Sequence, residues 1–126
     1  MQLHTITKQQ LLAEPYSKDA QKLACAIYST YIKNDKDPYM LIKISTVEKI
    51  LKLEEDENSL GYIRMLLEEL CEPIAVKNFK YFGNLYPVRL LRLLTYKFDN
   101  GHVEIELSEE FLYAEQEYMI ARFLVC

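Results

Sequence analysis

The stretch Asp99-Asn-Gly101 is the feature that most constrains how this chain can fold. An Asn-Gly pair between two extended segments favours a type I′ turn, because both residues tolerate a positive φ angle. After this pair, Val103, Ile105 and Leu107 alternate with polar residues. Such alternation is typical of a strand that packs one face against a core. The sequence therefore predicts an antiparallel β-hairpin here, with these three apolar side chains pointing inward.

The residues well before this hairpin predict a strand and two helices. Tyr39–Ile44 is an extended segment that follows a proline, and Ser45-Thr-Val-Glu48 has the spacing of a capping box at the start of a short helix. An acidic connector separates that helix from a second one over Ser59–Cys71, which Asn58 or Ser59 would cap. The apolar stripe of the second helix consists of Leu60, Ile63, Leu67 and Leu70.

Two more strands are predicted between the second helix and the Asn-Gly turn. They are Ile74–Phe82 and Val88–Phe98, both rich in β-branched, aromatic and leucine residues. Gly83-Asn84 joins them, and Pro87 interrupts the second one near its start.

Further helices are predicted at both ends of the chain. Ser17 is a candidate N-cap for a helix over residues 18–33, and Ser108 for a final helix over about residues 109–124. A short helix over about residues 7–13 is predicted near the N-terminus.

The order strand, helix, helix, hairpin is that of a winged helix. We therefore predict an α+β fold, a helix-turn-helix with a β-hairpin wing and additional N- and C-terminal helices. The 126 residues suffice for a single core. Residues 1–16 are expected to form an N-terminal extension and residues 17–126 the winged-helix domain.

The distribution of charge suggests a nucleic-acid contact. The net charge is −4, yet residues 73–98 carry five basic residues and no acidic one. Lysine and arginine side chains of this kind can hold DNA phosphates. The candidate DNA-binding residues are Lys77, Lys80, Arg89 and Arg92, with Arg64 and Tyr62 on the second helix as further candidates. The alternative is that these strand cations only solvate the outer face of a sheet and prevent edge pairing.

Other classes of function find little support in the sequence. The chain has two histidines and none of the common catalytic or metal-binding motifs, so we expect no enzyme activity, no cofactor and no metal site. No apolar run reaches the length of a membrane span. Three widely spaced cysteines predict reduced thiols in a cytoplasmic protein.

Several segments together resemble a known family. They are Asp19-Ala-Gln-Lys-Leu23, Ser45–Glu48, Tyr62–Leu70, Tyr96–Gly101 and Val103–Phe111. In these segments the chain is similar to the first winged-helix domain of Rep-type plasmid replication initiators. The resemblance covers roughly residues 17–123. It implies a role in replication initiation or transcriptional autoregulation, dimerisation, and phosphate contacts with double-stranded DNA. In that family a second winged-helix domain carries most of the base recognition.

Two hypotheses about function follow. The first is a DNA-binding protein, a homodimer whose cations, including Lys43 and Lys49, gather on one surface. The alternative is a winged-helix module for protein interaction or dimerisation, with its cations scattered and a contiguous apolar patch exposed. The apolar C-terminal run Met119–Cys126 is a candidate for self-association.

Overall fold

The computed structural model describes residues 10–11, 16–54 and 57–116. These residues form four helices and six strands. In chain order they are β1 Gln10–Leu11, α1 Lys18–Lys33, β2 Tyr39–Lys43, α2 Ile44–Leu51, α3 Glu57–Cys71, β3 Ile74–Tyr81, β4 Asn84–Leu91, β5 Leu94–Asp99, β6 His102–Leu107 and α4 Glu109–Gln116.

The architecture is mixed α+β, as predicted, with two antiparallel three-stranded sheets. The strand order of the first sheet is β1-β3-β4, and that of the second sheet is β2-β6-β5. The second sheet thus pairs a strand that precedes α2 and α3 with a hairpin that follows them. In the chain, the β3–β4 hairpin lies between α3 and β5, and it belongs to the first sheet.

The predicted Asn-Gly turn is confirmed. Asp99 pairs with His102 across a two-residue loop, in which Asn100 and Gly101 have φ angles of 42° and 78°. The apolar residues of β6 point into the core, again as predicted, and Val103 and Ile105 are fully buried. This hairpin also supports the helices, because the carbonyl of Gly101 accepts a hydrogen bond of 2.9 Å from the amide of Ile44 at the start of α2.

Helix α1 has the predicted bounds and the predicted cap. The Ser17 hydroxyl accepts a hydrogen bond of 3.4 Å from the amide of Ala20. Ser17 also binds α3, because its amide and hydroxyl donate to the two carboxylate oxygens of Glu69, at 2.7 and 2.8 Å. The buried side chains Leu23, Ile27 and Tyr31 form the core face of the helix.

The capping box predicted at Ser45 is wrong. Helix α2 begins at Ile44, and its N-cap residue Lys43 makes no side-chain cap bond. Strand β2 runs directly into α2 without an intervening turn. The amide of Ile44 donates its hydrogen bond to the Gly101 carbonyl instead of to a capping side chain. Glu48 is buried and accepts a hydrogen bond of 2.6 Å from the hydroxyl of Ser59. Glu48 and Ser59 therefore join α2 to α3, and Ser59 lies inside α3.

Two other element predictions change. The predicted strand Val88–Phe98 is divided at Arg92-Leu93, and its two parts join different sheets. Gln10–Leu11 is a strand paired with β3, where we predicted a helix. The Ser108 cap is confirmed by a 3.2 Å hydrogen bond from the amide of Phe111, while the predicted extension of the last helix beyond residue 116 lies outside the described residues.

Candidate functional site

Asn78 determines which side chains of β3 face solvent. Its φ angle is 57°, which reverses the in-and-out alternation of the strand at that point. Val76 and Phe79 are consequently both buried although they are three positions apart. Lys77 and Lys80 are both exposed for the same reason. The reversal thus places two ammonium groups on the outer side of the hairpin.

The outer side of β4 is apolar. Leu85, Val88 and Leu90 are 49%, 58% and 63% exposed. Lys77 pairs with Val88, and Lys80 pairs with Leu85. Directly paired residues of antiparallel strands project to the same side of a sheet. We call the surface formed by Lys77, Lys80, Leu85, Val88 and Leu90 the hairpin face.

Arg89, a predicted DNA contact, does not lie on the hairpin face. It pairs with buried Val76, and its guanidinium binds the Glu110 carboxylate through two hydrogen bonds of 3.0 and 2.7 Å. Its guanidinium carbon also lies 4.9 Å from the centre of the Tyr86 ring. The hydrogen bonds to the Glu110 carboxylate raise the pKa of Arg89. Arg89 thus connects β4 to α4. Arg92 is exposed in the connection between β4 and β5.

The two predicted contacts on α3 make contacts within the domain. The Tyr62 hydroxyl donates a hydrogen bond to the carboxylate of Asp19, which raises the pKa of Tyr62. The Arg64 guanidinium carbon lies 4.9 Å from the centre of the Phe98 ring on β5. Their contacts lead to α1 and β5 rather than to the hairpin face. The six predicted residues are therefore brought to several surfaces instead of one.

Other polar and basic side chains lie on the β5–β6 hairpin and beside its turn. Lys43 pairs with His102 at the end of the second sheet, and both residues adjoin the turn. Arg64 reaches the same hairpin through Phe98, which pairs with Val103. Lys43 and His102 project to the outer side of the sheet, whereas Arg64 contacts Phe98, whose paired residue Val103 is buried on the inner side.

Acidic side chains occupy the C-terminal half of α3. The Tyr96 hydroxyl donates a hydrogen bond to the carboxylate of Glu68. Burial and this carboxylate raise the pKa of Tyr96 to about 12. Glu69 binds Ser17 at the start of α1. These carboxylates repel phosphate, so this end of α3 is unsuited to contact DNA.

The outer side of the second sheet has the opposite character to the hairpin face. Tyr39 and Leu41 on edge strand β2 are 52% and 57% exposed. They pair with Glu106 and Glu104 on the central strand β6. The Tyr39 hydroxyl donates a hydrogen bond of 2.8 Å to the Glu104 carboxylate, which raises the pKa of Tyr39. We call Tyr39, Leu41, Glu104 and Glu106 the acidic face.

The cysteines differ from one another. Cys25 is disulfide-bonded, so the prediction of reduced thiols is wrong at this position. Cys71 is a free, half-buried thiol, and burial raises its pKa to about 11. Among the described residues, no three His, Cys, Asp or Glu side chains are placed to hold a metal ion. No helix in the described part of the chain is long and apolar enough to cross a membrane.

Comparisons with known proteins identify no relatives. No family model, curated protein or solved structure matches the chain.

Sequence reasoning missed the hairpin face, although the sequence contained a signal. The segment Leu85-Tyr-Pro-Val-Arg-Leu-Leu91 has apolar residues in both phases of the strand alternation. A strand at the edge of a two-layer domain can bury only one of these sets. The excess of apolar residues next to Pro87 therefore indicated an edge strand with an exposed apolar side.

Proposed function

We propose that this chain is a winged-helix module that associates with a second copy of itself through the hairpin face. Support for the winged helix comes from the order of elements, in which β2, α2 and α3 precede a β5–β6 hairpin that pairs with β2. The resemblance to plasmid replication initiators implies the same fold and a dimer. We propose a binding role rather than a catalytic one.

The exposed apolar residues of β4 carry this proposal. Fully burying an apolar side chain of this size stabilises by roughly 1.5–3 kcal/mol, so the exposed sides of three such residues represent a substantial driving force. Lys77 and Lys80 lie on the neighbouring strand and would form a polar rim beside the apolar centre. An apolar centre with a polar rim is the common arrangement of protein interfaces. The scattered cations of the domain agree with an interaction module.

The shape of β4 favours docking of its face over addition of a strand to its edge. Pro87 lies in the middle of the strand and has no amide hydrogen to donate. Proline on an edge strand opposes pairing with a further strand. The partner is therefore proposed to cover the side chains of the hairpin face.

Sedimentation velocity over a range of protein concentrations tests the proposal. We expect the wild-type chain to associate and a Val88→Thr/Leu90→Gln variant to remain monomeric. Met65→Gln is the matched control, because Met65 is 57% exposed on α3 and outside the hairpin face. A wild-type chain that stays monomeric at every concentration would refute the proposal, as would equal association of the two variants.

Duplex DNA binding is the second candidate function, and the cations Lys43 and Arg64 at the β5–β6 hairpin favour it. In a winged helix, this turn would be the wing and α3 the helix next to the major groove. Lys43 adjoins the turn, and Arg64 contacts the same hairpin through Phe98. They could contact phosphates without involving the acidic half of α3.

Fluorescence anisotropy with a labelled random duplex distinguishes the two possible sets of DNA contacts. We expect salt-sensitive binding that Lys43→Ala/Arg64→Ala weakens and that Lys77→Ala/Lys80→Ala leaves unchanged. Removal of one phosphate-binding cation should make the slope of log K against log salt shallower by about 0.9. If only Lys77→Ala/Lys80→Ala weakens binding, the DNA-binding surface is the hairpin face. No binding even at low salt would refute the DNA proposal.

A further inference from the structure

The two sheets of the domain carry complementary outer faces. In each sheet, charged residues of the central strand pair with exposed apolar residues of an edge strand. On the hairpin face, Lys77 pairs with Val88 and Lys80 pairs with Leu85. On the acidic face the same arrangement has the opposite sign, with Glu106 opposite Tyr39 and Glu104 opposite Leu41.

The surroundings of the hairpin face contain no opposing charge in the sequence, and one end of the acidic face has further acidic groups. Residues 73–91, which include the whole β3–β4 hairpin, contain no acidic residue. Beside the acidic face, Asp37 is exposed, and its carboxylate accepts a hydrogen bond of 3.0 Å from the Tyr39 amide. On the other edge strand, β5, Lys97 pairs directly with Glu104. The end of this sheet near Tyr39 carries the carboxylates of Glu106 and Asp37 and is therefore acidic and partly apolar.

We infer that the hairpin face of one copy binds the acidic face of a second copy, in a head-to-tail contact between different surfaces. Ammonium groups of Lys77 and Lys80 would face the carboxylates of Glu104 and Glu106, and the apolar side chains of the two edge strands would be covered together. Complementary charge favours this contact over one between two hairpin faces, which would bring four ammonium groups onto one interface.

A contact between different surfaces has a structural consequence. Each copy keeps one free hairpin face or one free acidic face after the first contact forms. Such assembly continues until a ring closes, or it produces an open chain. The association should also weaken as salt increases, because its charged pairs lie at the rim of the interface.

This inference depends on the proposed self-association, and charge reversal tests it separately. The first variant is Lys77→Glu/Lys80→Glu, and the second is Glu104→Lys/Glu106→Lys. Each variant alone presents two faces of the same sign. We expect self-association of either one to weaken by roughly tenfold or more. An equimolar mixture should restore association, as should one chain that carries all four substitutions.

The controls separate charge from folding. Circular dichroism establishes that each variant is folded before sedimentation. Tyr39→Phe removes the hydrogen bond to Glu104 while it leaves the charge, and we expect it to associate nearly as the wild type does. Tyr39→Phe associating as weakly as the second variant would attribute the effect to that hydrogen bond and overturn the inference.

Two results with the charge variants would also overturn it. If the first variant self-associates as strongly as the wild type, the hairpin face does not meet the acidic face. If the wild type associates but the mixture of variants does not, the acidic face is not the partner. A wild type that does not associate refutes the proposed function itself, which is a different result.

Discussion

The two β-hairpins of this chain are neighbours in sequence but differ in how they use their apolar residues. The β5–β6 hairpin buries Leu94, Val103 and Ile105 in the core. The β3–β4 hairpin buries Val76 and Phe79 on its inner side, while three large apolar residues of β4 remain exposed. The apolar residues of the β5–β6 hairpin are accounted for, because their burial stabilises the domain. The β3–β4 hairpin has apolar surface beyond what the domain buries, and this exposed surface supports the proposed interface.

The largest expected effect compares two adjacent leucines of β4. Leu91 is buried in the core and Leu90 is exposed on the hairpin face. Leu91→Ala should lower the free energy of unfolding by about 2–5 kcal/mol, because it leaves a cavity. Leu90→Ala should change it by less than about 0.5 kcal/mol. Urea unfolding of dilute protein, followed by circular dichroism, measures both. Equal losses of stability would mean that the hairpin face is part of the core.

The two hairpin turns provide a second, smaller comparison. Gly83 and Gly101 have φ angles of 81° and 78°, and neither has a neighbour close to the position of an added Cβ. Alanine at either site should therefore cost only backbone strain, about 1–2 kcal/mol. We expect Gly101→Ala to lower global stability, because this turn supports α2.

Gly83→Ala should instead open the tip of the β3–β4 hairpin. Hydrogen exchange distinguishes the two outcomes, because local opening accelerates exchange only at the amides near residues 81–84. Global destabilisation by Gly83→Ala would show that both hairpins unfold together with the core, and it would weaken the comparison.

The free energy of unfolding is expected to depend on pH through Tyr96 on β5. Burial and Glu68 raise the pKa of Tyr96 to about 12, from an ordinary value of 10.0. The folded state thus holds this proton more tightly than the unfolded state. The stabilisation is fully present below pH 10 and is lost as the pH rises toward 12. Tyr96→Phe should reduce the fall in unfolding free energy over this range, as measured by urea unfolding. An unchanged pH profile in this variant would contradict the assignment.

The smallest expected effect concerns the ion pair between β4 and α4. Arg89 and Glu110 are partly exposed, so Arg89→Ala should lower the free energy of unfolding by no more than about 1 kcal/mol. The DNA affinity of the Arg89→Ala variant should equal that of the wild type if Lys43 and Arg64 bind the phosphates. Anisotropy measures the affinity, and a large decrease would restore Arg89 as a DNA-binding residue.

Local signals in the sequence predicted much of the fold. The turn at Asn100-Gly101 and the caps at Ser17 and Ser108 were predictable, because each depends on residues within a few positions of itself. The box at Ser45–Glu48 failed for the opposite reason. Its Glu48 side chain binds Ser59 on the next helix, and no local rule anticipates this contact.

The candidate surfaces were harder to predict than the elements. The acid-free stretch over residues 73–98 suggested one basic surface. The reversal at Asn78, the Arg89–Glu110 pair and the change of sheet at Arg92-Leu93 distribute its cations over several surfaces. The alternation of a regular strand would have placed Lys77 and Lys80 on opposite sides. The hairpin face exists because one asparagine adopts a left-handed conformation.

The central claim is that the hairpin face is covered by a second copy of the chain. Methyl NMR spectra recorded over a range of protein concentrations test it most directly. We predict that the methyl signals of Leu85, Val88 and Leu90 shift as the concentration rises, while that of Met65 stays constant. Constant signals from all three β4 residues, with association present, would contradict the claim and place the interface elsewhere.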